Sequence, residues 1–327
     1  MTLQFPQPLL GRISDLAQHA PQDPLKAKKF EILAIAFANF GAQTSTTVVH
    51  LLAKPKDYEQ TKTQRPQYFT NSFNNLNVEV KAEPATLYDY KTSGPDFQPW
   101  VDFANIHLGG GVFGDGMLQE ETMALQMPEL ADAAADAVAN GYYTRGKGGE
   151  GVLESSPTPL VITNVHRTIE LDHALYKDGW KNMSMAQLFG GITVLPTNQV
   201  VHILAVAVPK LPKNPTHQQQ TDIYTIDDLF NTFVAAYQAT KDVAKGNVRI
   251  NTGPIGTGDF GHDKTVVYVM QHLAAQHVGV NLRYWTVKDT VQQDYDKVVK
   301  DIVKDHDAAT DRSLSHLVSI AQKHLSQ

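Results

Sequence analysis

The residues with the greatest chemical potential lie between 101 and 121. Val101-Asp102-Phe103-Ala104-Asn105 is followed by Gly109, Gly110 and Gly111, with Gly114 and Gly116 close behind, and then by Gln119-Glu120-Glu121. The first five residues alternate apolar and polar side chains, the period of a strand. The glycines leave their backbone N–H groups unshielded, and glycine alone adopts positive φ without steric cost. A ligand can therefore approach the main chain of Gly109–Gly111 directly. Two adjacent carboxylates then open a helical pattern that runs to about Leu130. A strand, a bare loop and acids at a helix start, in that order, suit a site for a phosphorylated sugar.

Each part also has a plainer reading. Glycine-rich loops are often only turns, and glutamates in a first helical turn complement the macrodipole by about 0.3–1 kcal/mol each. The string as a whole is far more specific. Adjacent helical residues point ~100° apart, so Glu120 and Glu121 can address different parts of one ligand.

A second string has the same design. Residues 247–263 read Asn-Val-Arg-Ile-Asn-Thr-Gly-Pro-Ile-Gly-Thr-Gly-Asp-Phe-Gly-His-Asp: strand, glycine-rich loop, helix start. Successive loop N–H groups and the following helix N-terminus form a cradle for a pyrophosphate. Asp263 is expected to cap a helix beginning near Lys264. Gly256, Gly258 and Gly261 also match the dinucleotide fingerprint, which keeps an NAD-dependent oxidoreductase as an alternative. That match is weak, because the acidic residue required ~20 positions on is replaced by Asn281-Leu282-Arg283. Neither loop ends in Gly-Lys-Ser/Thr, so a P-loop is excluded.

Together the two strings resemble the signatures of the poly(ADP-ribose) glycohydrolases, here the bacterial-type branch, within the macrodomain superfamily. In that family an aspartate-bearing strand, a triple glycine and Gln-Glu-Glu are followed by Thr-Gly, Gly-x-Gly and Phe-Gly-x-Asp. The resemblance covers roughly residues 76–286. It implies a three-layer α/β/α macrodomain-like fold with a mixed sheet, and an enzyme that hydrolyses the ribosyl bond of protein-linked or polymeric ADP-ribose. It implies Glu121 as acid and base on that bond, with Glu120 and Asn105 on the ribose. The ligand-binding set carried over is Gly109, Gly110, Gly111 and Gln119 in the first string, and Gly256, Thr257, Gly258, Asp259 and Phe260 around the diphosphate. Leu87 and Tyr88 would lie near the adenine. Cleavage passes through an oxocarbenium-like state, so a carboxylic acid must protonate the leaving oxygen. Burial against bound phosphates should raise its pKa. No cofactor is implied, and the 13 histidines show no metal-ligand spacing.

Three positions depart from the family pattern. The family's ligand-clasping tyrosine follows a Thr-Gly pair, whereas this chain has Asp172-His173-Ala174 with Tyr176 nearby. Asp115 and Asp259 stand where the family has small residues. Both are either turn aspartates bonding their own backbone or a pair that draws a cationic acceptor, since guanidinium pairs well with carboxylates. The alternatives within this reading are thus a mono-ADP-ribosyl-arginine hydrolase and a non-catalytic ADP-ribose binding module.

The rest of the sequence frames these strings. Its 327 residues suffice for a large core. With 28 basic and 34 acidic residues, net −6, it lacks the basic excess of a nucleic-acid binder. Apolar runs such as Ile32–Ala38 fall short of the ~20 residues of a membrane span. The absence of cysteine excludes disulfides and thiolate chemistry. With no leader pattern the expected location is cytoplasmic, apart from export by a leaderless route. The expected partners are ADP-ribose or an ADP-ribosylated protein, with no nucleic acid or membrane, and the expected state is a monomer.

Three segments follow: an accessory region 1–75 that packs on the core, a core 76–287, and C-terminal helices 288–327. Strands are predicted over Val78–Lys81, Pro99–Phe103, Leu160–Thr163, Val200–Val208, Asn247–Asn251 and Val280–Trp285. Helices are predicted over 26–40, Gln119–Leu130, Ala131–Ala139, Ile226–Lys241 and Lys264–His277.

Overall fold

Strand residues alternate between faces, and in the two central strands both faces are apolar. In β4 (Pro99–Phe103), Trp100 and Val101 are both buried, as are Ile203, Leu204, Ala205 and Val206 in β6 (Ile192–Val206). Trp100, Ile203 and Ala205 belong to one core cluster, and Val101, Leu204 and Val206 to the other. A sheet apolar on both faces must be covered on both, and the result is the three-layer α/β/α arrangement expected from the sequence. The computed structural model describes residues 2–4, 23–40, 48–51, 78–82, 88–140, 144, 157–286 and 292–327.

Among those residues the sheet has eight strands in the order β1-β2-β5-β6-β4-β7-β8-β3. The additional strands are β1 (Thr2–Gln4), β2 (Val48–Leu51), β3 (Val78–Ala82), β5 (Leu160–Leu171), β7 (Arg249–Thr252) and β8 (Asn281–Thr286). Pairing is antiparallel from β1 to β6 and parallel from β6 through β4, β7 and β8 to β3, so the sheet is mixed.

One core cluster holds α1 (Pro24–Ala38), α2 (Gln119–Gln126), α3 (Pro128–Asn140) and α4 (Met185–Gly190). The other holds α6 (Ile223–Ala244), α7 (Lys264–Val278), α8 (Gln292–Ala308) and α9 (Leu314–Leu325), with the short α5 (His217–Gln220) preceding α6. The predicted C-terminal helices dock through Ile302, Leu317 and Val318, all buried, with Val298, Leu314 and Ile320 partly so. No described helix is long and apolar enough to cross a membrane.

Three boundaries differ from the sequence expectation. The helix predicted over Gln119–Leu130 breaks at Met127, which has extended dihedrals, and α3 restarts at Pro128. Proline suits a first helical position and disfavours helix in the residue before it. Strands β5 and β6 run far beyond the apolar runs that announced them, as a pair extending to Leu171 and back from Ile192. That stretch of β6 is exposed or half-exposed, and it contains Pro196 where the register shifts between Arg167 and Ile169, as proline requires within a strand. The short strands β1 and β2 were not foreseen, and β2 extends the sheet beside β5. The expected irregular segment 54–76 and amphipathic stretch Ile13–His19 lie outside the described residues.

Leu317 has no exposed surface, so Leu317→Ala should destabilise the protein by about 2–5 kcal/mol, as for other buried leucines. Equilibrium denaturant unfolding measures this. A loss below about 0.5 kcal/mol, the range of surface sites, would mean that α9 does not contribute to the core.

Candidate functional site

Neighbouring strands β4 and β7 send their following helices to opposite faces of the sheet. After β4 the chain passes through the first glycine loop into α2, in the cluster with Trp100; after β7 it passes through the second loop into α7, in the cluster with Val101. Such a switch point leaves a crevice beyond the strand ends, where α/β proteins bind ligands. Here the crevice has a volume of about 490 Å³, within the ~300–1,000 Å³ usual for ligand pockets.

Gln119, Glu120 and Glu121 fix the β4 side by reaching three different stretches of backbone. The Gln119 amide accepts from Phe103 N (2.9 Å) and donates to Val101 O (3.0 Å), clamping the edge of β4. Glu120 Oε2 accepts from Asn105 N (3.0 Å). Glu121 Oε1 accepts from Gly111 N (2.8 Å), and its Oε2 from Leu118 N (2.8 Å), the latter closing half of a capping box at the start of α2. All three residues are buried yet border the crevice.

In the first loop the glycines meet the acids of their own chain. Gly109, Gly110 and Gly111 do not border the crevice among the described residues. Gly110 N donates to His107 O, Gly114 N donates to Gly111 O, and Gly111 N is taken by Glu121. The glycines make room for the acids. A Cβ on Gly110, where φ is +47°, would lie 2.3 Å from Glu120 Oε2 and 2.7 Å from Glu121 Oε1. The loop thus cradles carboxylates of its own chain.

The second loop lines the crevice. Gly256, Thr257, Gly258, Asp259 and Phe260 all border the crevice. Bonds within the loop use Thr257 N, Gly261 N and His262 N. The N–H groups of Gly256, Gly258, Asp259 and Phe260 are uncommitted among the described residues. Asp263 caps α7 as expected, accepting from Thr265 N and Val266 N. Lys264 borders the crevice at the first position of that helix.

The remaining expected residues divide. Asn105 borders the crevice with its Oδ1 turned to Ile106 N and its carbonyl accepting from Thr144 Oγ1. Tyr88 borders it within an aromatic group formed with Phe103, Trp100 and Trp285, and its hydroxyl donates to Val101 O. Leu87 lies outside the described residues. Asp259 is exposed at the crevice, whereas Asp115 is exposed away from it, among the charges acting on Lys29 and Lys181.

Sequence reasoning passed over Asp102 and only approached Tyr176. Asp102 is fully buried in β4, and neither carboxylate oxygen has a hydrogen-bond partner among the described residues. Burial, then the charge of Glu121, pushes its pKa up to about 8. Burial and then Asp102 hold Glu120 well above the usual carboxylate range, against the opposing Asn105 N–H. Glu120 Oε1 also lacks a partner among the described residues. At neutral pH this cluster holds a proton. Tyr176 and Lys177 border the crevice from the segment after β5, tied to the first loop by Lys177 N donating to Met117 O (2.8 Å). Burial, then Glu121, raises the Tyr176 hydroxyl. An acid in an otherwise apolar strand was the available signal for Asp102. No group of three or more His, Asp or Glu side chains able to hold a metal occurs among the described residues.

No protein-family model matches the chain, and no curated protein matches it significantly. In structure the chain is similar to the poly(ADP-ribose) glycohydrolase of Thermomonospora curvata bound to the inhibitor ADP-HPD. That similarity has 14% identity and a TM-score of 0.49, over 85% of this chain and 98% of that one. It is also similar to the poly(ADP-ribose) glycohydrolase of Deinococcus radiodurans in complex with ADP-ribose. There the identity is 15% and the TM-score 0.44, over 83% of this chain and 96% of that one. Identities and scores this low leave the functional reading to the site's own residues.

The Asp102 carboxyl gives a pH test. Its folded pKa is raised, so its contribution to stability is fully present below about pH 4, its unfolded range, and is lost as pH rises through about 8. Asparagine does not titrate. The melting temperature of Asp102→Asn relative to wild type should therefore climb between those two pH values. A difference independent of pH would show that Asp102 titrates in the ordinary carboxylate range.

Proposed function

We propose that this chain is an ADP-ribosyl glycohydrolase, cleaving the bond between the distal ribose of ADP-ribose and a protein or polymer acceptor. One observation carries the reading: one crevice is bordered by the buried carboxyls of Glu120 and Glu121 and by a loop with uncommitted amides beside a helix N-terminus. The loop end suits a diphosphate. The carboxyl end suits a ribosyl bond, whose leaving oxygen needs a proton as the oxocarbenium-like state forms.

Glu121 is the proposed acid and base. One specific alternative is Glu120: burial holds its carboxyl well above the usual range, and its Oε1 has no partner among the described residues. Glu121, in contrast, accepts two backbone N–H bonds. Glu121→Gln and Glu120→Gln separate the two. The residue that supplies the proton should lose about 10²–10⁴ in turnover when amidated, with ADP-ribose affinity nearly kept. The other should lose chiefly affinity.

The substrate is read by incubating the protein with poly-, glutamate-linked and arginine-linked ADP-ribose and measuring release. Asp259 alone at the crevice favours a cationic acceptor less strongly than two acids would. Calorimetry then separates the remaining classes. ADP-ribose binding without release from any substrate would indicate a binding module. Tighter binding of NAD with hydride transfer would overturn the reading in favour of an oxidoreductase.

A further inference from the structure

Lys29 lies on α1, far in sequence from both glycine loops, and only 1% of its surface is exposed. Its Nζ donates to Gly111 O (2.7 Å) and stands 5.6 Å from the centre of the Trp180 ring. Gly111 is the residue whose N–H is given to Glu121 Oε1 (2.8 Å). The same carbonyl also accepts from Gly114 N (2.8 Å), so the glycine turn and the lysine meet on one oxygen. The neighbouring Lys28 Nζ donates to Lys181 O (2.8 Å). That carbonyl belongs to the segment that brings Tyr176 to the crevice. Two adjacent lysines on one helix thus hold two walls of the site.

A methionine of similar length would fill the Lys29 position without burying a charge. The ammonium instead faces Glu121 on α2, Asp115 on the glycine loop and Lys181 beyond Trp180. Burial pushes its pKa down to about 8 against the pull of the two acids, so it is largely charged at neutral pH.

We propose that Lys29 is a positioning residue for the reaction: through Gly111 it holds the glycine loop against Glu121, and its ammonium is a buried counter-charge to Glu121. This rests on the hydrolase reading above. It also makes α1 a working part of the site, beyond its role in covering the sheet.

The test compares Lys29→Met, Lys29→Arg and Lys28→Met with wild type in the full chain. In Lys29→Met, amide exchange over residues 107–118 should accelerate. Turnover should fall about 10–10² fold, the scale of a small misplacement at a reacting centre, with KM little changed. The basic limb of the pH–rate profile should move to higher pH, because without the ammonium the carboxyls keep their proton longer. A lysine that only supports the fold would lower activity without moving that limb. Lys29→Arg keeps a donor and a charge and should recover much of the loss. Lys28→Met should accelerate exchange over 172–183 alone.

Unchanged exchange over 107–118 in Lys29→Met overturns the clamp. So does lost turnover with an unmoved limb and no recovery by arginine. Wild-type protein that releases ADP-ribose from no substrate overturns the hydrolase reading instead, and the exchange measurement then decides the clamp by itself. If Lys29→Met fails to fold, Lys29→Gln, which lacks the charge, carries the same comparison of exchange and pH–rate limb with wild type.

Discussion

Three carboxyls, Asp102 in β4 and Glu120 and Glu121 at the start of α2, are buried and interact, and the local structure is arranged around the cost of that. Like charges in a poorly solvated site cannot all ionise. The chain answers in two ways. Protons stay on part of the cluster, as the raised pKa values of Asp102 and Glu120 record. Backbone donors are aimed at the rest, with Asn105 N on Glu120 and Gly111 N and Leu118 N on Glu121. A loop with side chains could not do this, because a Cβ at Gly110 would stand inside both carboxylates. Gly110 and Gly111 thus leave room for the acids, whereas Gly109 leaves room for Ala134.

The same requirement makes the β4–loop–α2 unit template itself. Gln119 reads the edge of β4, Glu120 reads its exit and Glu121 reads the loop, so three consecutive side chains fix the register of everything between residues 101 and 121. Lys29 adds the external support such a unit lacks. Its bond to Gly111 O is made from the opposite side to the bond from Gly111 N to Glu121.

Local patterns made much of this legible. The strand and helix cores, the capping by Asp263 and the second loop's place at the crevice follow from periodicity, turn chemistry and the two glycine strings. What was not legible depends on tertiary packing. Lys29 sits in a run with Lys26 and Lys28 that looks like a solvated helix face, and only its burial against Trp180 distinguishes it. Asp102 reads as one polar step of an alternating strand, although both faces of that strand are covered. Asp115 and Asp259 looked like a pair because their loops looked alike. The loops differ in what occupies them, and only the second faces the crevice.

The division of labour between the loops has an electrostatic consequence. Protonated acids lie at the β4 end of the crevice, while uncommitted amides, the α7 N-terminus and Lys264 lie at the β7 end. On the hydrolase reading this polarity orients the ligand, diphosphate toward β7 and scissile ribose toward β4. The phosphates would then bring negative charge and exclude water beside the carboxyl cluster. Both effects disfavour ionisation of a carboxyl, so the substrate itself would strengthen the hold on the proton that cleavage requires. Free protein and complex need not share the same protonation pattern. In the free crevice Glu121 is engaged by Gly111 N and Leu118 N. A ligand that drew the glycine loop outward would release those bonds. Lys29 would limit that movement, since it grips the loop at the same residue.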